Sequence, residues 1–359
     1  MTSPVPPIAI LYQALPPPMI DGLRKDAKPG GYSDGGADIA FALTGRGLQV
    51  VTPIALPDPA KALDWVFPDT AEGIAGALAA GARVLWANTV LFEGHPLEAV
   101  IGRVEIVGQL PAVMQAYDHK FETNAMLMRA GLPVARSFLV SNLPRGGVRA
   151  LDDLDQALAE IGLKPPLIVK PVRGRGSQGV TLSRTLEQTR AAAEALIADG
   201  SFGGTLMVEE FLDGEEVTVT IMPPASPMPD GSLSPTHWPL RPVVRFDQQK
   251  GVAPYNGDVA VTANSVALDA SRLSDPDIAA MLEACMAAAQ LVGARAAIRI
   301  DCRRDATGVF RLFDLNMKPN MTGPGRPGRD NQDCLSAIAA RADGWDYAAL
   351  LEAMVAARF

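Results

Sequence analysis

Short apolar runs alternate with helical stretches over the first third of the chain. Apolar runs begin at residues 8, 48 and 83, and residues 34–46 and 71–82 between them have the composition of helices. Strands separated by helices of about 10–15 residues are typical of parallel βαβ units. The pattern predicts a Rossmann-like domain over residues 1–115, without a G-x-G-x-x-G motif. In it, Ser33 is expected to cap the first helix and Gly47 to end it.

The pattern changes beyond residue 115, where strands come in pairs and helices separate the pairs. Paired strands are predicted around the glycine-rich stretch that follows LIVK, within residues 205–222, and between residues 296–302 and 309–315. Helices are predicted at residues 118–129, 152–161 and 276–292, and two more close the chain. The fold class is therefore α/β in the broad α+β sense, with a central segment at 116–204 and a C-terminal segment at 205–359.

Composition narrows the function classes. The chain has 32 Lys and Arg against 40 Asp and Glu, a net charge of −8 and a pI near 5.0, so a nucleic-acid partner is not expected. No apolar run approaches the roughly 20 residues of a membrane span, and the prolines of the N-terminal stretch argue against a signal peptide. Three cysteines without C-x-x-C spacing predict neither a disulfide framework nor a zinc site and favour a reducing cytoplasm.

The segment FDLNMKPNMTG places an acid and an amide two residues apart in an apolar run. Alternation along a strand sends Asp314 and Asn316 to one face, and we expect Phe313 and Leu315 to point into a core. If the preceding strand pairs with it, Asp301 converges on the same face. Carboxylate and amide oxygens of this kind suit Mg²⁺ bound to a nucleotide.

An equally weighted alternative exists for these acidic residues. They would instead form a salt-bridged ladder on the sheet surface with Arg299 and Arg311.

A lysine and an acidic turn form two further candidate walls of a nucleotide site. Lys170 ends an apolar strand and is followed by a glycine-rich loop at residues 171–179, in which backbone N–H groups can approach phosphates. The turn VEEFLDGEE supplies Glu209, Glu210 and Glu216, which could meet adenine and ribose. A solvated hairpin and a solvated acidic turn are the ordinary alternatives for each signal alone.

Four ordered segments from residue 117 onward resemble the ATP-grasp superfamily and, within it, the D-alanine:D-alanine ligase-like carboxylate-amine ligases. They are DHKFETNAMLMRAGLPVARS, LIVKPVRGRGSQGV, LMVEEFLDGEEVTV and IRIDCRRDATGVFRLFDLNMKPNMTG. The resemblance implies an ATP-grasp fold behind an N-terminal Rossmann-like pre-ATP-grasp domain. It also implies these ATP contacts: Lys120, Lys170, Arg173, Ser177 and Gly179 at the phosphates, Glu209, Glu210 and Leu212 at the adenine hinge, and Glu216 at the ribose.

The resemblance further implies a reaction. Arg299 and Lys170 would stabilise phosphoryl transfer, and the backbone N–H of Asn320 would bind an oxyanion. The metal ligands would be Asp301, Asp314 and Asn316, holding two Mg²⁺ ions, with Mn²⁺ as an alternative. The implied activity is ADP-forming ligation of a small carboxylate, such as an amino acid, to an amine through an acyl phosphate. The alternatives are an ATP-grasp small-molecule kinase and a non-catalytic nucleotide-binding protein, and a homodimer stays open.

The sequence departs from the family pattern at several positions. Asp314 stands where the family usually has Glu, Asn320 stands where it has Gly, and the serine expected soon after Thr322 is absent. The carboxylate that holds the first substrate's ammonium group is not placed, and Asp34 and Asp38 are its candidates. D-alanyl-D-alanine synthesis is therefore not the expected activity.

Four arginines are candidates to bind an acidic group of the organic substrate. A guanidinium fork matches a carboxylate bidentately. Arg326 and Arg329 lie in the Gly/Pro-rich run GPGRPGRD. Arg241 and Arg245 lie in the segment PLRPVVRF. The alternative for the first two is that they cap the last helices or pair with Asp330 and Asp333.

Overall fold

The computed structural model describes residues 4–20, 23–24, 29–143, 146–174, 176–248 and 260–359. Within these residues the strands form a four-stranded, a five-stranded and a six-stranded sheet and one short two-stranded ribbon. Helices pack between and around the three larger sheets.

The first sheet lies in the N-terminal part of the chain and is entirely parallel, in the order β4-β1-β5-β6. The elements of this part are β1 (Ile8–Tyr12), β2 (Met19–Ile20), β3 (Leu23–Arg24), α1 (Ser33–Gly45), β4 (Phe67–Pro68), α2 (Ala71–Ala79), β5 (Val84–Asn88), β6 (Glu105–Val107) and α3 (Pro111–Ala116). The parallel sheet expected from the hydrophobic pattern is thus confirmed.

The start of α1 differs from the expectation that Ser33 caps it. Ser33 is already helical, and the N-cap residue is Tyr32, which has a φ of 66° and makes no side-chain cap bond. Gly30 and Gly31 before it also have positive φ values, 69° and 55°. The left-handed turn at residues 30–32 leads directly into α1, and it takes the place of a side-chain cap at the start of the helix.

The second sheet has the order β10-β9-β11-β7-β8. Its part of the chain contains α4 (Lys120–Arg129), β7 (Ser137–Ser141), β8 (Arg149–Ala150), α5 (Leu154–Ile161), β9 (Leu167–Pro171), β10 (Thr181–Ser183), α6 (Leu186–Asp199) and β11 (Thr205–Glu210). The predicted hairpin around the glycine-rich loop is present as the antiparallel pair β9–β10. Helix α4 begins later than predicted because the imidazole of His119 accepts the N–H of Glu122 and caps it.

The third sheet has the order β15-β14-β12-β16-β17, with β13 beside β12. Its part of the chain contains β12 (Glu216–Met222), β13 (Trp238–Pro239), β14 (Val243–Arg245), β15 (Ser265–Ala267), α7 (Pro276–Leu291), β16 (Ile298–Arg304), β17 (Phe310–Asn316), α8 (Leu335–Ala342) and α9 (Tyr347–Ala356). The predicted antiparallel pairing of the two metal-segment strands is β16 with β17. Strand β11, at the start of the segment predicted at 205–359, belongs to the second sheet.

The first and third sheets share one apolar core. Leu11 and Leu85 of the first sheet belong to the same buried cluster as Val219, Ile300 and Leu312 of the third. The last residue also reaches the first sheet, through backbone hydrogen bonds between residues 359 and 106. Shared burial of this kind packs the first and third sheets against each other.

No helix in the described part of the chain is long and apolar enough to cross a membrane.

Candidate active site

The third sheet is apolar on one face and polar on the other. Val219 and Ile300 lie in the shared core, whereas the residues that alternate with them project to the opposite face. Those residues are Glu216, Thr218 and Thr220 of β12 and Arg299, Asp301 and Arg303 of β16. Much of this polar face lines a cavity of about 360 Å³, the main cavity, which the β9–β10 turn also borders.

A β-bulge interrupts the pairing of β16 with β17. Cys302 pairs with Leu312, but the preceding residue, Asp301, pairs with Asp314, so Phe313 is one residue extra. A bulge of this kind breaks the alternation of side chains between the two faces.

The bulge decides which face of β17 carries the metal-ligand candidates. With unbroken alternation, Asp314 and Asn316 would follow Leu312 into the core. With the bulge, both line the main cavity, while Leu315 is buried as expected. The expectation that Phe313 also points into the core is wrong, because as the bulged residue it lines the cavity.

Asp301 is the most heavily bonded of the three metal-ligand candidates. Its carboxylate accepts two hydrogen bonds from Arg299, from Nε at 3.1 Å and from Nη2 at 3.2 Å. The hydroxyl of Thr218 donates to it at 2.8 Å, and the amide of Asn316 lies 3.4 Å away. Asp314 is its direct partner across the strands. The three side chains therefore converge as the sequence predicted.

These groups fit a magnesium ion that is shared with a ligand. Asp301, Asp314 and Asn316 offer two carboxylates and one amide oxygen, and Mg²⁺ usually takes one or two carboxylates and completes its shell with phosphate oxygens and water. No cluster of three or more His, Cys, Asp or Glu suited to a metal occurs among the described residues. The alternative of a salt-bridged ladder on the sheet surface is met only in part. Arg299 pairs with Asp301, but Arg311 pairs with Asp305 of the turn.

Lys120 and Lys170 reach the main cavity from different elements. Lys120, at the start of α4, forms an ion pair with Asp314. Lys170, at the end of β9, is buried, donates to Glu209 at 2.7 Å and lies 3.4 Å from the carbonyl of Phe313. Burial would raise the pKa of the Asp314 carboxyl, but Lys120 and Lys170 outweigh burial and lower its pKa. The carboxylate is therefore held charged beside two cations.

Five described residues of the β9–β10 turn border the main cavity. These are Gly174, Gly176, Ser177, Gln178 and Val180. Gly179 shapes the turn with a φ of +70°. Arg173, predicted at the phosphates, does not line the main cavity; it lies 3.9 Å from the carboxylate of Asp118 and borders another cavity. Arg175 lies outside the described residues.

The end of β11 and the residues after it, predicted as the adenine hinge, contribute Glu209, Glu210 and Leu212. Glu209 is buried against Lys170, and burial raises the pKa of its carboxyl despite that partner. Glu210 borders the cavity, but its carboxylate accepts three hydrogen bonds from Arg136, two from the guanidinium at 2.8 and 2.9 Å and one from the backbone N–H at 2.8 Å. Leu212, predicted at the adenine, is buried at the cavity wall.

Glu216 is a buried acid whose pKa lies near neutrality. Burial, with a further contribution from the nearby charge of Asp301, raises its pKa to about 7, although Arg245 and Arg303 act against this. The side-chain amide of Gln248 donates to its carboxylate at 2.6 Å. Gln248 was not identified from the sequence, because nothing local to it marks a contact with a residue 32 positions away.

A second cavity, of about 410 Å³, adjoins the main cavity. The two cavities share the lining residues Tyr32, Val261 and Asn320. Asn320 accepts a hydrogen bond from the hydroxyl of Thr322 at 3.0 Å, which fixes its side chain at this junction. Asp34 lines the second cavity and its side chain is 63% exposed, so of the two ammonium candidates it is the accessible one.

Arg326 is not available to a substrate in this structure. It is one of the largest fully buried side chains. Its Nε donates to Asp38, its Nη2 to Asp34 and its Nη1 to the carbonyl of Pro59, at 2.8–2.9 Å. Arg329 donates twice to Asp38, at 2.8 and 3.0 Å, and borders the second cavity. The predicted substrate contact of Arg326 is corrected to an ion pair that fixes the loop to α1.

The other two arginine candidates lie in different surroundings. Arg241 pairs with Asp343 through its side chain and its backbone N–H, and it lines neither of the two cavities. Arg245 lines the main cavity.

Tyr32 and Lys318 are site residues that sequence reasoning missed. The Lys318 ammonium lies 3.6 Å from the centre of the Tyr32 ring, and both residues line the main cavity. A signal for Lys318 was available, since it follows Asn316 by two residues. No such signal marked Tyr32, which is nearly 300 residues away.

Comparisons with known proteins agree with this geometry. The family model described as "D-ala D-ala ligase C-terminus" matches residues 126–356. A D-alanine–D-alanine ligase of Actinobacillus pleuropneumoniae serotype 5b is 34% identical over 203 residues, 56% of this chain and 58% of that protein. Its counterpart in Chromohalobacter salexigens is 29% identical over 203 residues, 56% of this chain and 55% of that protein. The chain thus matches a little over half the length of these curated relatives.

Solved structures resemble almost the whole chain. The VanG D-Ala:D-Ser ligase of Enterococcus faecalis has a TM-score of 0.64 at 13% identity and covers 98% of both chains. The D-alanine–D-alanine ligase of Bacillus anthracis complexed with ATP has a TM-score of 0.62 at 14% identity, over 98% of this chain and 95% of that one. At such identities the likeness shows the fold, and the predicted ATP-grasp fold is confirmed. With the family match over residues 126–356, the chain belongs to the D-Ala–D-Ala ligase C-terminal family of ATP-grasp proteins.

Proposed function

We propose that the chain is an ATP-dependent ligase that joins a small carboxylate to an amine through an acyl phosphate and releases ADP and phosphate. The observation that carries this proposal is the junction of the two cavities at Asn320 and Tyr32. The main cavity has the charges that suit a nucleotide, and a second, polar cavity opens beside it. A ligase needs such an adjoining space for two organic substrates, whereas a protein that only bound a nucleotide would not.

In the main cavity, the proposed nucleotide contacts follow the order of the elements. Leu212 of the hinge lies against the adenine, Glu216 accepts from the ribose hydroxyls, and the ammonium groups of Lys120 and Lys170 face the phosphates. Mg²⁺ bound by the carboxylates of β16 and β17 would supply positive charge to the transferring phosphoryl group.

The chain's own residues would carry the chemistry in two stages. Arg299, held by Asp301, and Lys170, held by Glu209, are positioned cations for the charge that develops during phosphoryl transfer. The backbone at Asn320 then faces the oxyanion that forms when the amine attacks. The β9–β10 turn excludes water from the acyl phosphate, which water would otherwise hydrolyse.

The organic substrates belong in the second cavity. Asp34 is the proposed partner of a substrate ammonium group: although it also accepts from Arg326, its side chain is 63% exposed at the second cavity, whereas that of Asp38 is fully buried against Arg326 and Arg329. The relatives' printed name makes D-alanine the first compound to test. The substitutions at residues 314 and 320 favour testing a broad set of amino acids beside it. The reaction would take place in the cytoplasm, where free buried thiols such as those of the three cysteines persist.

The test is ADP release over pairs of carboxylates and amines, with hydroxylamine as a surrogate nucleophile. A ligase requires both a carboxylate and a nucleophile for full turnover and yields a hydroxamate. Turnover with one acceptor and no hydroxamate would instead identify a kinase.

Asp314→Asn should abolish hydroxamate formation while the variant still binds ADP, because the carboxylate acts on charge that develops during phosphoryl transfer. The matched control is Asp305→Asn, on the turn of the same hairpin and paired with Arg311 away from the cavity. Near wild-type turnover of Asp314→Asn at saturating Mg²⁺ would contradict the ligand assignment.

A further inference from the structure

Arg245 lies in the wall of the main cavity with an unsatisfied hydrogen-bond donor. It ends β14, and its Cα is paired with that of Glu216 on β12. Its Nε atom is buried and donates to no described residue. Because a buried N–H group without an acceptor is unfavourable, a guanidinium in this position is suited to an anionic ligand that would complete it.

The other two arginines of the same wall have partners that fix them. Arg299 donates two hydrogen bonds to Asp301. Arg303 donates to the carbonyl of Gly214 at 3.1 Å and lies over the ring of Phe211, 4.9 Å from its centre. Arg245 therefore differs from Arg299 and Arg303 in having a buried N–H group that no described residue accepts.

The position of Arg245 along the cavity identifies the part of the ligand it meets. Its partner across the strands is Glu216 of β12, and β12 separates it from Asp301 on β16. In the proposed function, Glu216 marks the ribose end of the nucleotide and Asp301 the metal-bound β- and γ-phosphates. Arg245 therefore lies at the ribose end of the proposed nucleotide, and the phosphate that is attached to the ribose is the α-phosphate.

We propose that Arg245 binds the α-phosphate of the adenine nucleotide through its guanidinium. The inference rests on the proposed nucleotide cavity and adds a contact from β14 to it. A planar guanidinium matches phosphate oxygens bidentately, and a phosphate oxygen would accept the buried Nε–H. The contact binds the nucleotide independently of the metal, because the α-phosphate lies outside the metal-bound pair.

The geometry also separates this role from the one expected for Arg245 at the sequence level. An anchor for an acidic substrate would border the second cavity, where Asp34 and Arg329 lie. Arg245 does not line that cavity.

The test compares the dissociation constants of ADP, AMP and adenosine in the absence of metal, for the wild type, Arg245→Gln and Arg245→Lys. The matched control is Arg241→Gln, four residues earlier and paired with Asp343 outside the main cavity. Arg245→Gln should weaken AMP and ADP binding by the same factor, about tenfold or more, and leave adenosine binding unchanged. Arg245→Lys should recover part of the loss, and Arg241→Gln should bind all three as the wild type does.

Three results would overturn the proposal. Unchanged AMP affinity in Arg245→Gln would exclude the contact. A loss of affinity much larger for ADP than for AMP would show that the charge of Arg245 acts electrostatically on the outer phosphate and does not contact the α-phosphate. An equal loss for adenosine would place the effect at the ribose or in the fold. If the wild type itself binds no adenine nucleotide, both the proposed function and this inference are wrong. That result differs from a loss of the Arg245 contact, in which the wild type still binds the nucleotide.

Discussion

Asp38→Asn should lower the free energy of unfolding by about 3–5 kcal/mol, the usual cost of breaking a buried ion pair. Asp38, on α1, has a fully buried carboxylate. It accepts a hydrogen bond from Arg326 at 2.9 Å and two from Arg329, at 2.8 and 3.0 Å. The substitution removes the charge that compensates both guanidinium groups and leaves an amide that cannot accept at both of its former oxygen positions.

Asp34→Asn provides the matched control for this magnitude. Asp34 lies one helical turn before Asp38 and contacts the same Arg326 at 2.8 Å, but its side chain is 63% exposed. An ion pair with an exposed carboxylate is worth about 0–1 kcal/mol because water screens it, and Asp38 still compensates the buried Arg326 when Asp34 loses its charge. The same chemical change should therefore cost several times less at residue 34 than at residue 38.

Urea unfolding followed by circular dichroism, at one pH and low salt, measures both variants against the wild type. The reasoning fails if Asp34→Asn is as costly as Asp38→Asn, or if Asp38→Asn costs less than about 1 kcal/mol. A companion variant, Arg326→Met, should also unfold more easily. If it kept its stability and raised only the KM of an organic substrate, the assignment of Arg326 to the fold would be refuted.

Two further predictions concern single residues near the cavities. Glu216 has a folded pKa of about 7 against an ordinary 4.5, so its protonated form stabilises the fold below pH about 4.5, and up to roughly 3 kcal/mol is lost as the pH rises through 7. Glu216→Gln should therefore have the flatter profile when melting is followed from pH 5 to 8, and parallel profiles would contradict the shift. Gly323→Ala should lower the melting temperature, costing about 1–3 kcal/mol, since a Cβ would lie 2.3–2.5 Å from atoms of the Tyr347 ring. Gly76→Ala, on α2 with nothing within 4 Å, should instead be neutral or stabilising, and equal melting shifts in the two variants would refute the steric argument.

The sequence by itself determined the elements and several of the residues that meet. Hydrophobic periodicity is a local property, so it predicted the parallel sheet, the glycine-rich hairpin and the β16–β17 pair. The two-residue period also placed Asp314 and Asn316 on one face. Asp301 joined them because a short turn leaves little choice in how two adjacent strands pair.

Only the tertiary structure decided which way several of these side chains point. Phe313 is bulged, and no residue type in β17 marks the position of a bulge, so its side chain was misplaced from the sequence. The first helix lacks the expected serine cap because a left-handed turn at residues 30–32 replaces it. Both are features of backbone geometry that the order of apolar and polar residues does not encode.

The substrate arginines show the same limit over longer distances. The sequence placed Arg326 near the chemistry, and its loop does follow the junction residue Asn320. Its guanidinium is nevertheless bonded to Asp38, which is 288 residues away. A charge next to a site in sequence binds a ligand only if the fold brings no better partner to it, and that choice depends on burial and on contacts between distant segments. In the sequence Arg245 had only a helper's place beside Arg326 and Arg329, and the fold alone distinguished it by leaving its buried donor without an acceptor among the described residues.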